Sequence, residues 1–167
     1  MILICYDGSD DAKAAITHVG QLLPGADATL LTVWEPFEKF SPGGRSRLSP
    51  LSTIVDPGAA DERLHAGARE LVDEGVELAA AAGLKAEPAT TEQHDSVADA
   101  ILRTAEELDA DVIVLGSRGH GMLGSMLGST SHKVLQQADR MVLVIPSPKV
   151  AARRHRLLAR ETEDVKA

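Results

Sequence analysis

The chain has 167 residues, of which 44% are hydrophobic and only 2% aromatic, and a formal charge of −8. That length suits one domain whose core must be built from aliphatic side chains. Net acidity and scarce stacking rings exclude a nucleic-acid platform, and a lone cysteine, Cys5, excludes a disulfide framework or a thiolate metal site within the chain. Ile2–Tyr6 reads as a first strand buried on both faces, with Cys5 a core residue rather than a nucleophile. Ser9 can cap a helix running to Leu23, whose apolar face carries Ala12, Ala15, Ile16, Val19 and Leu22, and Pro24-Gly25 ends it. Thr29–Trp34 is the second strand, and the proline-, glycine- and serine-rich stretch Glu35–Gly58 reads as a long mobile loop. A helix follows from Ala59 to Ala82, closed by Gly83.

Ala86–Thr91 is a weak third strand. Ser96 to Leu108 forms the next helix, and Ser96 with Asp99 has the spacing of a capping box. Asp111–Leu115 is the fourth strand, Ser129–Ala138 the fourth helix and Met141–Ile145 the fifth strand. Strands alternating with helices predict βαβ units around a parallel sheet. The domain is expected to close near residue 148. Residues 149–167 then form a charged extension with Arg153, Arg154, Arg156 and Arg160 ahead of Glu161, Glu163 and Asp164. No apolar run reaches membrane length and Met1 leads straight into a strand, so no membrane partner and a cytoplasmic location are expected.

The commonest doubly wound order places the first strand beside the fourth, and ligands favour the crevice at the carboxyl ends of such neighbours. Those ends are Asp7-Gly8-Ser9 and Gly116-Ser117-Arg118-Gly119. Between Gly116 and Gly128 lie the glycines Gly119, Gly121 and Gly124, and glycine lets backbone N–H groups approach a ligand closely. The three earlier helices open near acidic residues: Asp10 and Asp11, Asp61 and Glu62, Asp95 and Asp99. The fourth opens Ser129-Thr130-Ser131 with none, so an anion is expected there, on unpaired N–H groups at the positive dipole end. The acidic Asp7 end suits a hydroxyl- or amine-bearing group, and a nucleotide has that division. The plainer readings are that Ser129 is a helix cap, that Asp7 is an Asx-turn residue, and that Arg118 and His132 are solvated.

I-C-Y-D-G-S, L-L-T-V-W-E-P, A-D-V-I-V-L-G-S-R-G-H-G and L-G-S-T-S together resemble the universal stress protein family in its ATP-binding branch, over Met1 to about Pro146. The resemblance implies an α/β fold, a doubly wound five-stranded parallel sheet of order 3-2-1-4-5 with helices on both faces. It implies that Gly116, Gly119, Gly128, Ser129 and Thr130 hold the ribose and phosphates of ATP, and that Asp7 and the backbone near Val33 meet the adenosine. It also implies a homodimer, for which the apolar edge strand Met141–Ile145 offers the surface. One departure stands out: eight residues, His120 through Leu127, separate Gly119 from Gly128, where the family pattern has nine.

Other classes fit less well. Gly119-His120-Gly121-Met122-Leu123-Gly124 matches a dinucleotide fingerprint but falls late in the domain, and no Gly-Lys-Ser/Thr forms a Walker A sequence. A phosphoacceptor receiver would want paired acids at the first strand end and a lysine closing the fifth strand, and Ile4-Cys5-Tyr6-Asp7 and Ile145-Pro146-Ser147 supply neither. With no carboxylate cluster to place water beside phosphate, the residues favour a nucleotide-responsive regulatory protein over an ATPase. Slow hydrolysis or self-phosphorylation is the most they would support, with Mg²⁺ riding on the phosphates near Ser129. The alternative is a nucleotide-independent dimeric scaffold that binds a protein partner through the 35–58 loop and the tail.

Overall fold

A computed structural model describes residues 1–37, 56–118, 127–153 and 155–156. Its elements are β1 (Ile2–Cys5), α1 (Asp10–Leu22), β2 (Asp27–Trp34), α2 (Pro57–Ala81), β3 (Lys85–Glu92), α3 (Val97–Glu107), β4 (Val112–Gly116), α4 (Ser129–Gln137) and β5 (Met141–Ile145). The strands form one sheet of order β3-β2-β1-β4-β5, all parallel. The expected fold class and strand order are both observed.

Alternation along β1 builds two cores. Ile2 and Ile4 face α1 and α2, where they meet Ala15, Ile16, Val19 and Val72, while Leu3 faces α3 and α4 with Ile101, Ala105, Ile113 and Val134. Every one of these side chains is buried, so the central strand is covered on both faces, as its unbroken apolar run requires. β3, at one edge, is mostly half-exposed and carries Pro88, a residue tolerated in a sheet chiefly at edges.

The start of α2 differs from expectation. α2 starts at Pro57 rather than Ala59, because Asp56 caps it by accepting from the Gly58 N–H at 3.1 Å and proline at the first position is already set to helical φ. Asp61 is therefore not at the helix start. Its Oδ1 accepts from the Phe37 N–H at 2.6 Å and holds the chain leaving β2. Of the expected 35–58 loop, residues 38–55 lie outside the described residues. Gly83 ends α2 as expected, with φ +88°, a backbone region that disfavours side chains.

The capping box is half made. The Ser96 Oγ accepts from the Asp99 N–H at 3.2 Å, but the Asp99 carboxylate accepts from the Ser96 hydroxyl at 2.6 Å and from Lys133. Beyond β5, residues 148–153 are helical, with Ser147 and Val150 buried and Lys149 Nζ 3.1 Å from Asp10 Oδ2.

Candidate functional site

At the carboxyl ends of β1 and β4 the chain forms a crevice of about 310 Å³. Its position follows from topology: connections leave β1 and β4 toward opposite faces, so the loops part there. Asp7, Val33, Gly116, Gly128, Ser129 and Thr130 all line it. Gly119, together with the one-residue-short stretch as far as Met126, lies outside the described residues.

Asp7 follows β1 and is exposed, and its Oδ1 accepts from the Ser9 N–H at 3.0 Å. The Asx-turn reading of Asp7 is thus correct, and it presents the carboxylate at the crevice wall at the same time. Ser9 caps α1, its Oγ accepting from the Ala12 N–H at 3.2 Å.

On the opposite side, α4 begins at Ser129 with Gly128 as its cap residue, and no side chain caps it. Ser129 is therefore not the cap. Gly128 offers no side-chain oxygen, and the first-turn N–H groups have no partner within the helix. The α4 start is tied to β4 by the Gly128 N–H to the Ser117 carbonyl at 2.9 Å and by the Ser131 hydroxyl to the Gly116 carbonyl at 2.8 Å. Its first turn has no acid, unlike those of α1 and α3. The first turn of α2 also lacks one, and its negative group is the cap Asp56, not Asp61 and Glu62. The contrast expected among helix starts survives with that substitution.

Asp11 plays a structural part. It is 5% exposed, and its Oδ2 accepts from the Ser117 hydroxyl at 2.6 Å. Burial pushes its pKa up, but hydrogen bonds from Ser117 and from the side chain and backbone of Ser147, with the charge of Arg118, outweigh it. The pKa lies below the usual carboxylate range. One carboxylate thus clamps the α1 start to the ends of β4 and β5. A depressed native pKa means stability that is complete above the ordinary aspartate pKa of about 3.9 and lost as pH falls through the lower native value. We expect Asp11→Asn to lose about 2 kcal/mol at pH 7, read by urea unfolding, and the gap to wild type to narrow at pH 3. An unchanged gap at pH 3 would assign the loss to packing.

Cys5 forms part of the crevice wall, and burial, then the charge of Asp7, pushes its thiol far above the usual range. It is no nucleophile at neutral pH. His132 is exposed, as in the plainer reading. Lys133 is an ion-pair partner of Asp99 at 2.7 Å. Among the described residues, no group of three or more His, Cys, Asp or Glu could hold a metal ion. No helix among them is long and apolar enough to cross a membrane.

Sequence reasoning missed the apolar wall that α3 supplies through Val97 and Ile101. Val97 and Ile101 are four residues apart and so share one helix face, but which strand ends they overlook depends on how α3 seats on the sheet.

A model of the universal stress protein family matches residues 1–146. A Thermus aquaticus protein called universal stress protein in QAH/OAS sulfhydrylase 3′ region is 33% identical over 147 residues, covering 86% of this chain and 96% of its own. Two solved structures share the fold. One is a universal stress protein in complex with cAMP, with TM-score 0.57, 22% identity and coverage of 87% and 95%. The other is the universal stress protein from Archaeoglobus fulgidus in complex with dAMP, with TM-score 0.52, 21% identity and coverage of 86% and 95%.

Proposed function

The chain belongs to the universal stress protein family, and on that premise we propose that it binds an adenine nucleotide, ATP, in the β1/β4 crevice and acts as a nucleotide-responsive regulatory protein. The observation that carries this is the pairing of an uncapped, acid-free α4 start with Asp7 across one crevice. Phosphates would rest on the N–H groups and hydroxyls of Gly128, Ser129 and Thr130, with Gly116 and Gly119 beside the ribose and phosphates. The base would lie against the apolar wall of Val33, Val97 and Ile101, and Asp7 would take a ribose hydroxyl or the base's amino group. The relatives with cAMP and dAMP support an adenine ligand.

The donor set suits phosphate-borne Mg²⁺ better than a resident ion, because the α4 start offers hydroxyls rather than carboxylates. Ser129 would be its protein ligand, and the ion would screen the phosphate charge. Residues 1–148 would form the nucleotide-binding domain and 149–167 the charged extension.

Calorimetric titration with ATP, ADP, AMP and NAD, with and without Mg²⁺, tests the assignment. ATP should bind tightest and NAD negligibly. Equally negligible binding of all four would favour the nucleotide-independent scaffold instead.

β5 is an edge strand on which Met141 is 64% and Leu143 40% exposed, an arrangement that favours pairing with a second copy. Light scattering across micromolar concentrations should give the mass of a homodimer, and Met141→Lys with Leu143→Lys should give a monomer. A monomeric wild-type mass would overturn the dimer.

A further inference from the structure

An ion pair that joins two crevice-lining helices bears on how many negative charges the site accepts. Lys133 Nζ lies 2.7 Å from Asp99 Oδ2 and 3.0 Å from Ser96 Oγ, so it bridges α4 to the start of α3. Both helices line the crevice, α3 through Val97 and α4 through Ser129 and Thr130. Helical residues three and four apart share a face, and side chains lean toward the helix amino end. Lys133 therefore stands behind Thr130 and Ser129, with its stem directed back toward the α4 start. Its partner Ser96 immediately precedes Val97 in the chain.

Asp99 is held in place from two sides. Its N–H donates to Ser96 Oγ at 3.2 Å, and its carboxylate accepts from the same hydroxyl at 2.6 Å. The Lys133 ammonium, then the Ser96 hydroxyl, keep its pKa below the usual carboxylate range, so the Asp99 carboxylate is ionised at neutral pH. Arg118 lines the crevice from the β4 end, and its charge also bears on buried Asp11.

Resting on the nucleotide reading above, we propose that Asp99 withholds the Lys133 charge from the anion end of the crevice, so that this pair sets the preference for triphosphate over monophosphate. A closed ion pair adds little field at the phosphates. An unpaired ammonium or carboxylate at the same place acts on every additional phosphate charge. One helical turn away and near the surface, such a charge should shift the affinity for a triphosphate by roughly tenfold relative to a monophosphate.

The test is the ratio of the ATP and AMP dissociation constants in Mg²⁺-free buffer, by calorimetry on the full chain. Asp99→Asn should move the ratio about tenfold toward ATP, with a steeper loss of ATP affinity as salt rises. Lys133→Gln should move it about tenfold toward AMP, and the double variant should return to within about twofold of wild type. The opposite signs mean that either single variant suffices if the other fails to fold. A ratio unmoved in the single variants, or a double variant that keeps the shift of one, overturns the proposal alone. If neither nucleotide binds even the wild type, the nucleotide reading falls and this inference falls with it.

Discussion

Replacing Ser129 by glutamate should weaken ATP binding by about a hundredfold and leave the fold as stable as before, or slightly more so. Ser129 is exposed and caps nothing, so the longer side chain meets no packing constraint. A carboxylate in the first turn of α4 complements the helix dipole, an effect worth about 0.3–1 kcal/mol in favour of folding. The same charge repels each phosphate placed on the α4 start. At about 4–5 Å and an effective dielectric near that of a protein surface, this amounts to roughly 3 kcal/mol, or a hundredfold. Isothermal calorimetry and thermal unfolding on one preparation separate the two effects. Wild-type affinity in a folded Ser129→Glu protein would remove the phosphate end from α4. Ser129→Ala, by contrast, should weaken binding only several-fold, since it removes a hydroxyl and leaves the N–H groups in place.

Gly116→Val should unfold or severely destabilise the protein, by about 3 kcal/mol or more, whether or not a nucleotide is present. A Cβ at residue 116 would lie 2.8 Å from the Ala12 nitrogen and from the Asp11 carbonyl carbon. Those are backbone atoms of α1 and cannot swing aside. Gly116 is therefore required first for the contact of β4 with the α1 start, and any role beside the ribose comes second. Urea unfolding of Gly116→Ala should already show a clear loss. A stable Gly116→Val protein that had lost only nucleotide binding would reverse that order. For this reason Ser129→Glu, not a glycine replacement, is the cleaner probe of the site.

The two variants also show how far the sequence could be read. The acid-free α4 start was visible in Ser129-Thr130-Ser131, because capping and first-turn charge are properties of a few consecutive residues. The opposition of Asp7 to that helix followed from chain order, since right-handed crossovers leave few places for β1 and β4. The reading of α2 failed locally. Its end at Gly83 was legible but its start was not, because the cap Asp56 precedes Pro57 and Gly58, residues that by themselves suggest a loop. Asp61 was then credited to a helix end that it does not occupy.

Other features had no local signature. Asp11 and Ser117 are 106 residues apart in sequence and 2.6 Å apart in space. As a first-turn acid, Asp11 looked the same as its neighbour Asp10, yet one is buried in a clamp and the other is exposed. The sharing of Asp99 between Ser96 and Lys133 likewise depends on α3 and α4 lying side by side.

By itself, the sequence determined the element types, the two-sided burial of β1 and the distinct chemistry of the α4 start. Each follows from interactions within a turn or between alternate residues. Only the tertiary structure decided that Gly116 answers to α1, that Asp11 is a clamp and that Lys133 pairs with Asp99. Those depend on which surfaces meet after helices pack on a sheet, and close packing joins residues that have no neighbourly relation along the chain.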